Sequence, residues 1–176
     1  MLVRQAETLF GKSEAHFSEC LTYRYHLRRT WDRGRTVINF LMLNPSTADE
    51  TKNDPTIERC CRRAKLWGHG GVWITNIFAL RSTDPAALRS YLDPIGPENN
   101  QAILEAAAGS GAVICGWGNH GDFLGRGLAV LRLLEGVGRG LLALDVTKTG
   151  HPSHPLYLSY DRGPMLFNGT MLKGRS

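Results

Sequence analysis

The sequence has no apolar run near the roughly 18 residues that a membrane-spanning helix needs, which excludes a spanning segment and a membrane partner. Its four cysteines, Cys20, Cys60, Cys61 and Cys115, show no Cys-x-x-Cys spacing, so neither a zinc knuckle nor an iron–sulfur cluster is supported. No repeat or low-complexity stretch occurs. Residues 1–20 mix Glu and Lys with scattered apolar residues, unlike a secretory signal, and the expected compartment is the cytoplasm. What is present is ordinary for a globular chain: 42% hydrophobic and 21% charged residues, which excludes disordered, collagen-like and coiled-coil classes. The 176 residues suit a single domain over 1–176, with an ordered core over about 20–160. The last dozen residues, rich in Gly, read as a tail. Cys60 and Cys61 share an i, i+3, i+4, i+7 pattern with Ile57 and Ala64, a core-facing helical stripe. All four thiols are expected to be buried and reduced.

The net charge of +5 is unevenly placed. Ten basic residues stand against five acidic ones between Arg24 and Lys65, and the rest of the chain balances at eleven each. Clustered positive charge points to a phosphate-bearing partner, with a solvated Arg-rich face as the bland alternative.

Hydrophobic patterning predicts an N-terminal β-hairpin, with arms over 21–27 and 36–43 joined at Asp32-Arg33-Gly34. The second arm is apolar throughout, as a central strand requires. Asp54-Pro55 gives an N-cap followed by Pro at the first helical position, opening a helix to about Trp67. Strands follow over 72–75, 112–115 and 141–144, separated by helices over 98–108 and 123–135. Strands alternating with helices imply right-handed crossovers. The expected fold is a three-layer α/β/α sandwich on a short, mainly parallel four-stranded sheet, plus the N-terminal β-hairpin arm.

Ligands in open parallel sheets bind outside the carboxyl ends of the strands. Four polar clusters stand there: Asn44-Pro45-Ser46-Thr47, Asn76, Trp117-Gly118-Asn119-His120, and the segment from Asp145 to His154. Singly, each reads as a turn, a buried amide or a surface loop. Jointly, they predict one crevice. His151 and His154 also have the i, i+3 spacing of a metal pair, but no carboxylate stands beside them, so no metal and no cofactor is expected.

Long strings of the chain resemble a bacterial family called domain of unknown function 1643. They are Leu43-Asn44-Pro45-Ser46-Thr47-Ala48-Asp49, Asn53-Asp54-Pro55-Thr56-Ile57, Trp67-Gly68, Asn76-Ile77-Phe78-Ala79, Thr83-Asp84-Pro85, Thr147-Lys148, His151-Pro152 and His154-Pro155-Leu156-Tyr157-Leu158. The resemblance spans about 23–160 and implies no reaction. The order of strand exits is also similar to that of the uracil-DNA glycosylase superfamily. Asn44-Pro45 resembles an Asn-Pro whose Asn positions the attacking water. Asn76 resembles a strand-terminal Asn that reads the pyrimidine edge, and Trp117-Gly118 a Trp-Gly after the next strand. His151-Pro152-Ser153 resembles a His-Pro-Ser whose His stabilises the departing base, with His154-Pro155 an alternative alignment and Leu156 in the place of a wedge.

This second resemblance implies an uracil-DNA glycosylase-like fold and hydrolysis of an N-glycosidic bond in DNA or a nucleotide. Asn44 and His151 would be catalytic. Pro45, Ser46, Asn76, Trp117, Asn119, His120, Ser153, His154 and Leu156 would contact substrate. Arg28, Arg29, Arg62, Arg63 and Lys148 are the candidate phosphate contacts, and the expected partner is a nucleic acid or nucleotide. Two other readings stand beside it. One is a non-catalytic nucleotide or nucleic-acid binding module. The other is dinucleotide binding through Gly116-x-Gly118-x-x-Gly121, with Asp145 ending the next strand.

Overall fold

The computed structural model describes residues 1–8, 11–138 and 140–173. Its framework is one eight-stranded mixed sheet. In chain order the strands are Leu2–Thr8 (β1), Gly11–Phe17 (β2), Arg24–Thr30 (β3), Val37–Met42 (β4), Gly71–Asn76 (β5), Val113–Gly116 (β6), Leu141–Ala143 (β7) and Met165–Leu166 (β8). In space they run β1-β2-β3-β5-β4-β6-β7-β8. The four expected strands form a parallel block, β5-β4-β6-β7, with the first of them inside. Antiparallel strands extend it on both sides.

Helices cover both faces. Pro55–Leu66 (α1) links β4 to β5, Ala87–Ser90 (α2) and Asn99–Ala108 (α3) follow β5, Arg126–Leu134 (α4) precedes β7, and Thr170–Lys173 (α5) ends the described chain. The alternation of β4 sorts its side chains. Ile38, Phe40 and Met42 join Ile57, Cys60, Cys61 and Ala64 of α1, the stripe expected from the sequence. Leu41 joins Ile103 of α3 and Val130 of α4 on the other face. Ile57 is fully buried, and Ile57→Ala would cost about 2–5 kcal/mol. The one polar residue inside β4, Asn39, donates its amide to Trp73 O at 2.8 Å and Thr75 Oγ1 at 3.0 Å. No helix of the described residues is long and apolar enough to cross a membrane.

Five expectations need correction. The hairpin between β3 and β4 does not form, because β5 lies between them and pairs with both. The turn at Asp32 exists, but Trp31 N and Asp32 N both donate to Gly70 O at 2.9 Å, steering β3 toward the start of β5. The sheet is also larger than four strands plus one arm: the β1–β2 hairpin and β8 lie outside the expected ordered core. Met165 and Leu166 pair with β7, and Phe167 and Leu172 are buried, so this part of the expected tail belongs to the fold. Residues 174–176 of that tail lie outside the described residues. The helix expected over 123–135 is a 3-10 segment, Asn119–Gly125, followed by α4, with Phe123 and Leu124 non-helical between them. Finally, Cys20 is exposed, unlike the other three free cysteines. Contacts with the Ser18 and Thr22 hydroxyls pull its thiol down to about 7.

Candidate functional site

The carboxyl edge of the parallel block opens into a crevice of about 640 Å³. Each wall is built by the exit of a strand or the start of a helix. The exit of β4 contributes Leu43, Asn44, Ser46 and Thr47, and the start of α1 adds Asp54, Pro55 and Thr56. The loop after β5 supplies Ser82, Thr83 and Pro85, and the exit of β6 supplies Trp117, Gly118, Asn119 and His120. The segment after β7 closes it with Thr147, Ser153, His154, Leu156, Tyr157 and Leu158. A second concavity of about 500 Å³ lies on the β1–β2–β3 wing, lined by Glu7, Lys12, Glu14, Arg28 and Arg33 among others. Its charges are mixed and it is far in topology from the strand exits.

Asn44 is oriented by the chain's own carbonyls. Its amide nitrogen donates to Ser82 O at 2.8 Å and to Pro45 O at 3.2 Å, while Ser82 N donates to Pro45 O at 2.9 Å. Two carbonyl acceptors fix the nitrogen side of the amide. The carbonyl oxygen Oδ1 then takes no hydrogen bond from the described residues, and it can accept one from a water or a ligand.

The two histidines differ in place. His154 lines the crevice, and His151 does not. His151 is 2% exposed; its main-chain N and O bond to Thr147, and its Nε2 lies 3.8 Å from the exposed carboxylate of Asp122. His154 precedes the short 3-10 turn Pro155–Tyr157, and its Nδ1 accepts from Leu156 N at 3.3 Å. The proton of the neutral ring is therefore on Nε2. Burial pulls this imidazole down to about 4, against the opposing pull of Asp54, so it is neutral at pH 7. The loop that carries it rests on β6: a Cβ on Gly116 would meet Pro155 Cδ at 2.8 Å.

Asp54 is the residue that sequence reasoning took only as a cap. It is one, with Oδ1 accepting from Ile57 N at 2.9 Å, but it also lines the crevice. The signal was available. A crossover helix after a parallel strand starts at the carboxyl edge, so its cap stands beside the ligand site.

The other expected substrate residues divide. Ser46, Trp117, Asn119, His120, Ser153 and Leu156 line the crevice with His154. Pro45 and Asn76 do not. Asn76 is buried, its Oδ1 accepting from Arg24 at 3.4 Å and its main-chain carbonyl accepting from Asn99 at 3.0 Å. None of the five expected phosphate contacts lines the crevice. Arg28 lies over the Trp73 ring, 5.0 Å from its centroid. Arg29 is bonded to Asn53 Oδ1, Asp49 O, Lys52 O and Ser13. Arg63 is fully buried and donates to the carbonyls of Leu158, Ser159 and Arg162. Arg62 is exposed over Tyr160, and Lys148 is exposed. A further cation, buried Arg24, donates to Ala48 O at 2.7 Å; burial pulls it down to about 10, still charged at pH 7.

The glycines of Gly116-x-Gly118-x-x-Gly121 serve the chain's own packing. Gly116 admits Pro155, Gly118 sits at φ 68°, and Gly121 lies against the Trp117 indole. No α-helix opens at this loop; α4 begins only at Arg126. Among the described residues no group of three His, Cys, Asp or Glu is placed to hold a metal ion.

The structure is an α/β protein, a mixed sheet covered on both faces, with a polar crevice at the carboxyl edge of its parallel block. The chain belongs to the family described as protein of unknown function (DUF1643), whose profile matches residues 24–156. No curated protein and no solved structure matches it.

Proposed function

We propose that the crevice is an N-glycosyl hydrolase site of the uracil-DNA glycosylase-like kind, acting on a nucleobase in DNA or a nucleotide. The carrying observation is the convergence of Asn44 and His154 in one crevice from loops far apart in sequence. Breaking an N-glycosidic bond puts positive charge on the sugar and negative charge on the leaving base. Asn44 Oδ1 accepts from the attacking water and holds it. The neutral ring of His154, with its proton on Nε2, donates to the base oxygen as it becomes anionic, an oxyanion-type stabilisation. His154 takes this role in preference to His151 because it is the histidine that lines the crevice. Ser46, Asn119 and Ser153 supply polar contacts for a base edge, a role that buried Asn76 is not placed to fill. Leu156 and the exposed Tyr157 stand at the same wall as apolar contacts for a displaced or neighbouring base.

The test is a panel of uracil-, hypoxanthine- and mismatch-bearing oligonucleotides beside free nucleosides, assayed for released base and alkali-labile strands. Release that is lost in Asn44→Ala and His154→Ala supports the proposal. Tight binding with no release overturns it in favour of a binding module.

A further inference from the structure

Water held by Asn44 lacks a proton acceptor, since a carboxamide is not a base near neutral pH. We infer that Asp54 is the general base of this site, taking the proton of the attacking water. The inference rests on the glycosyl-hydrolase reading and adds to it the residue that completes the chemistry.

Asp54 is the only carboxylate lining the crevice among the described residues; it shares that crevice with Asn44 and His154, and its charge acts on the His154 imidazole. The other nearby acids are engaged elsewhere: Asp145 lies 3.6 Å from Arg162, and Asp122 faces His151 from an exposed position. The Asp54 carboxylate is also held in one orientation. Its main chain is extended (φ −97°, ψ 171°), Pro55 stiffens the first helical position, and Glu58 N donates to Asp54 O at 3.0 Å. With Oδ1 bonded to Ile57 N, the second oxygen takes no hydrogen bond from the described residues. One oxygen positions the group and the other remains for a water, the preorganisation that base catalysis requires.

The step balances without a co-reactant. Water oxygen bonds to the anomeric carbon as the carbon–nitrogen bond breaks, and the bonding pair leaves with the base. The water proton passes to Asp54, the departing anion is held by His154 Nε2–H, and both exchange protons with solvent afterwards.

The experiment compares wild type with Asp54→Asn on a uracil-bearing oligonucleotide and on free uridine. Asn caps helices as well as Asp does, so α1 keeps its start while the base is removed. The expected result is a loss of 10²-fold or more in base release, about the range of general-base removal, with affinity for the oligonucleotide within a few-fold. The His154 imidazole, titrated by NMR, moves further down because the attraction of Asp54 is gone. Asp54→Ser, also a good cap, should behave alike. Asp54→Asn releasing base within threefold of wild type overturns the role of Asp54 and leaves the hydrolase reading standing. Wild type that releases no base from either probe, nor from hypoxanthine- and mismatch-bearing oligonucleotides, overturns both. Loss of helix in both cap variants assigns the carboxylate to folding and overturns the inference.

Discussion

Pro155 lies so close over Gly116 that a Cβ on the glycine would stand 2.8 Å from the proline ring. This contact seats the loop that carries His154 on the end of β6. Gly116→Ala must push that loop away, at a cost of about 1–3 kcal/mol typical of overpacking. Base release should fall while every crevice side chain remains. Thermal unfolding and the release assay check both effects, and an unchanged variant would show that the seat does not position His154.

The two histidines should separate cleanly. His154→Ala is expected to lower base release by about 10²–10³-fold, the size of losing one donor to a developing anion, with little change in unfolding midpoint. His151→Ala empties a buried position and should lower the midpoint, with activity following the folded fraction alone.

Asn44→Ala removes the donor that serves Ser82 O and Pro45 O. A destabilisation of about 1–2 kcal/mol is expected in urea unfolding. Asn44→Asp should be worse for the loop, because it faces the same two carbonyls with no donor.

Arg62 and Arg63 are neighbours in sequence with opposite prospects. Arg62→Ala should leave stability within about 0.5 kcal/mol. If a polynucleotide follows α1, the same change lowers the slope of log affinity against log salt by about 1. Arg63→Ala strips donors from three main-chain carbonyls and should cost about 2 kcal/mol, measured by denaturation.

Stability should fall with acid in a defined window. Burial holds His154 at about 4 and His26 at about 3, both below their ordinary value of 6.5. Between those limits the unfolded chain binds protons that the folded chain refuses, so stability is full above about pH 6.5. It declines as pH falls toward 4 and 3, by up to about 1.4 kcal/mol per pH unit for each histidine. Urea midpoints at pH 7, 6 and 5 check this, and His154→Gln should flatten the slope.

The parallel block was legible because fully buried strands such as β4 announce themselves as unbroken apolar runs, and helices between them force crossovers. The partner of β3 was not legible. Neighbouring strands with a turn between them read as a hairpin, and only the bonds from Trp31 and Asp32 to Gly70 show that β5 intervenes. β1 was missed because its edge position leaves it mostly exposed, without the apolar run of a buried strand. That Asn44 shares a crevice with residues of the segment from Asp145 to His154 followed from strand direction alone. The charge excess misled for a physical reason. A guanidinium has five donors and serves main-chain carbonyls as readily as phosphates, and Arg24, Arg29 and Arg63 all do so here. Sequence does not distinguish an arginine facing inward from one facing out.

The position of β5 between β3 and β4 also governs when the crevice can be completed. Arg24 and Arg29 reach the loop after β4 from β3, whose inner edge is laddered to Gly71–Thr75. On a growing chain, β4, that loop and α1 all emerge before this ladder partner exists. The loop bearing Ser46 and Thr47 therefore acquires its final anchors only when a long-range pairing closes, the slow kind of step in folding. Truncation ahead of Gly71 removes β5, and with it the pairing that seats those anchors beside the crevice.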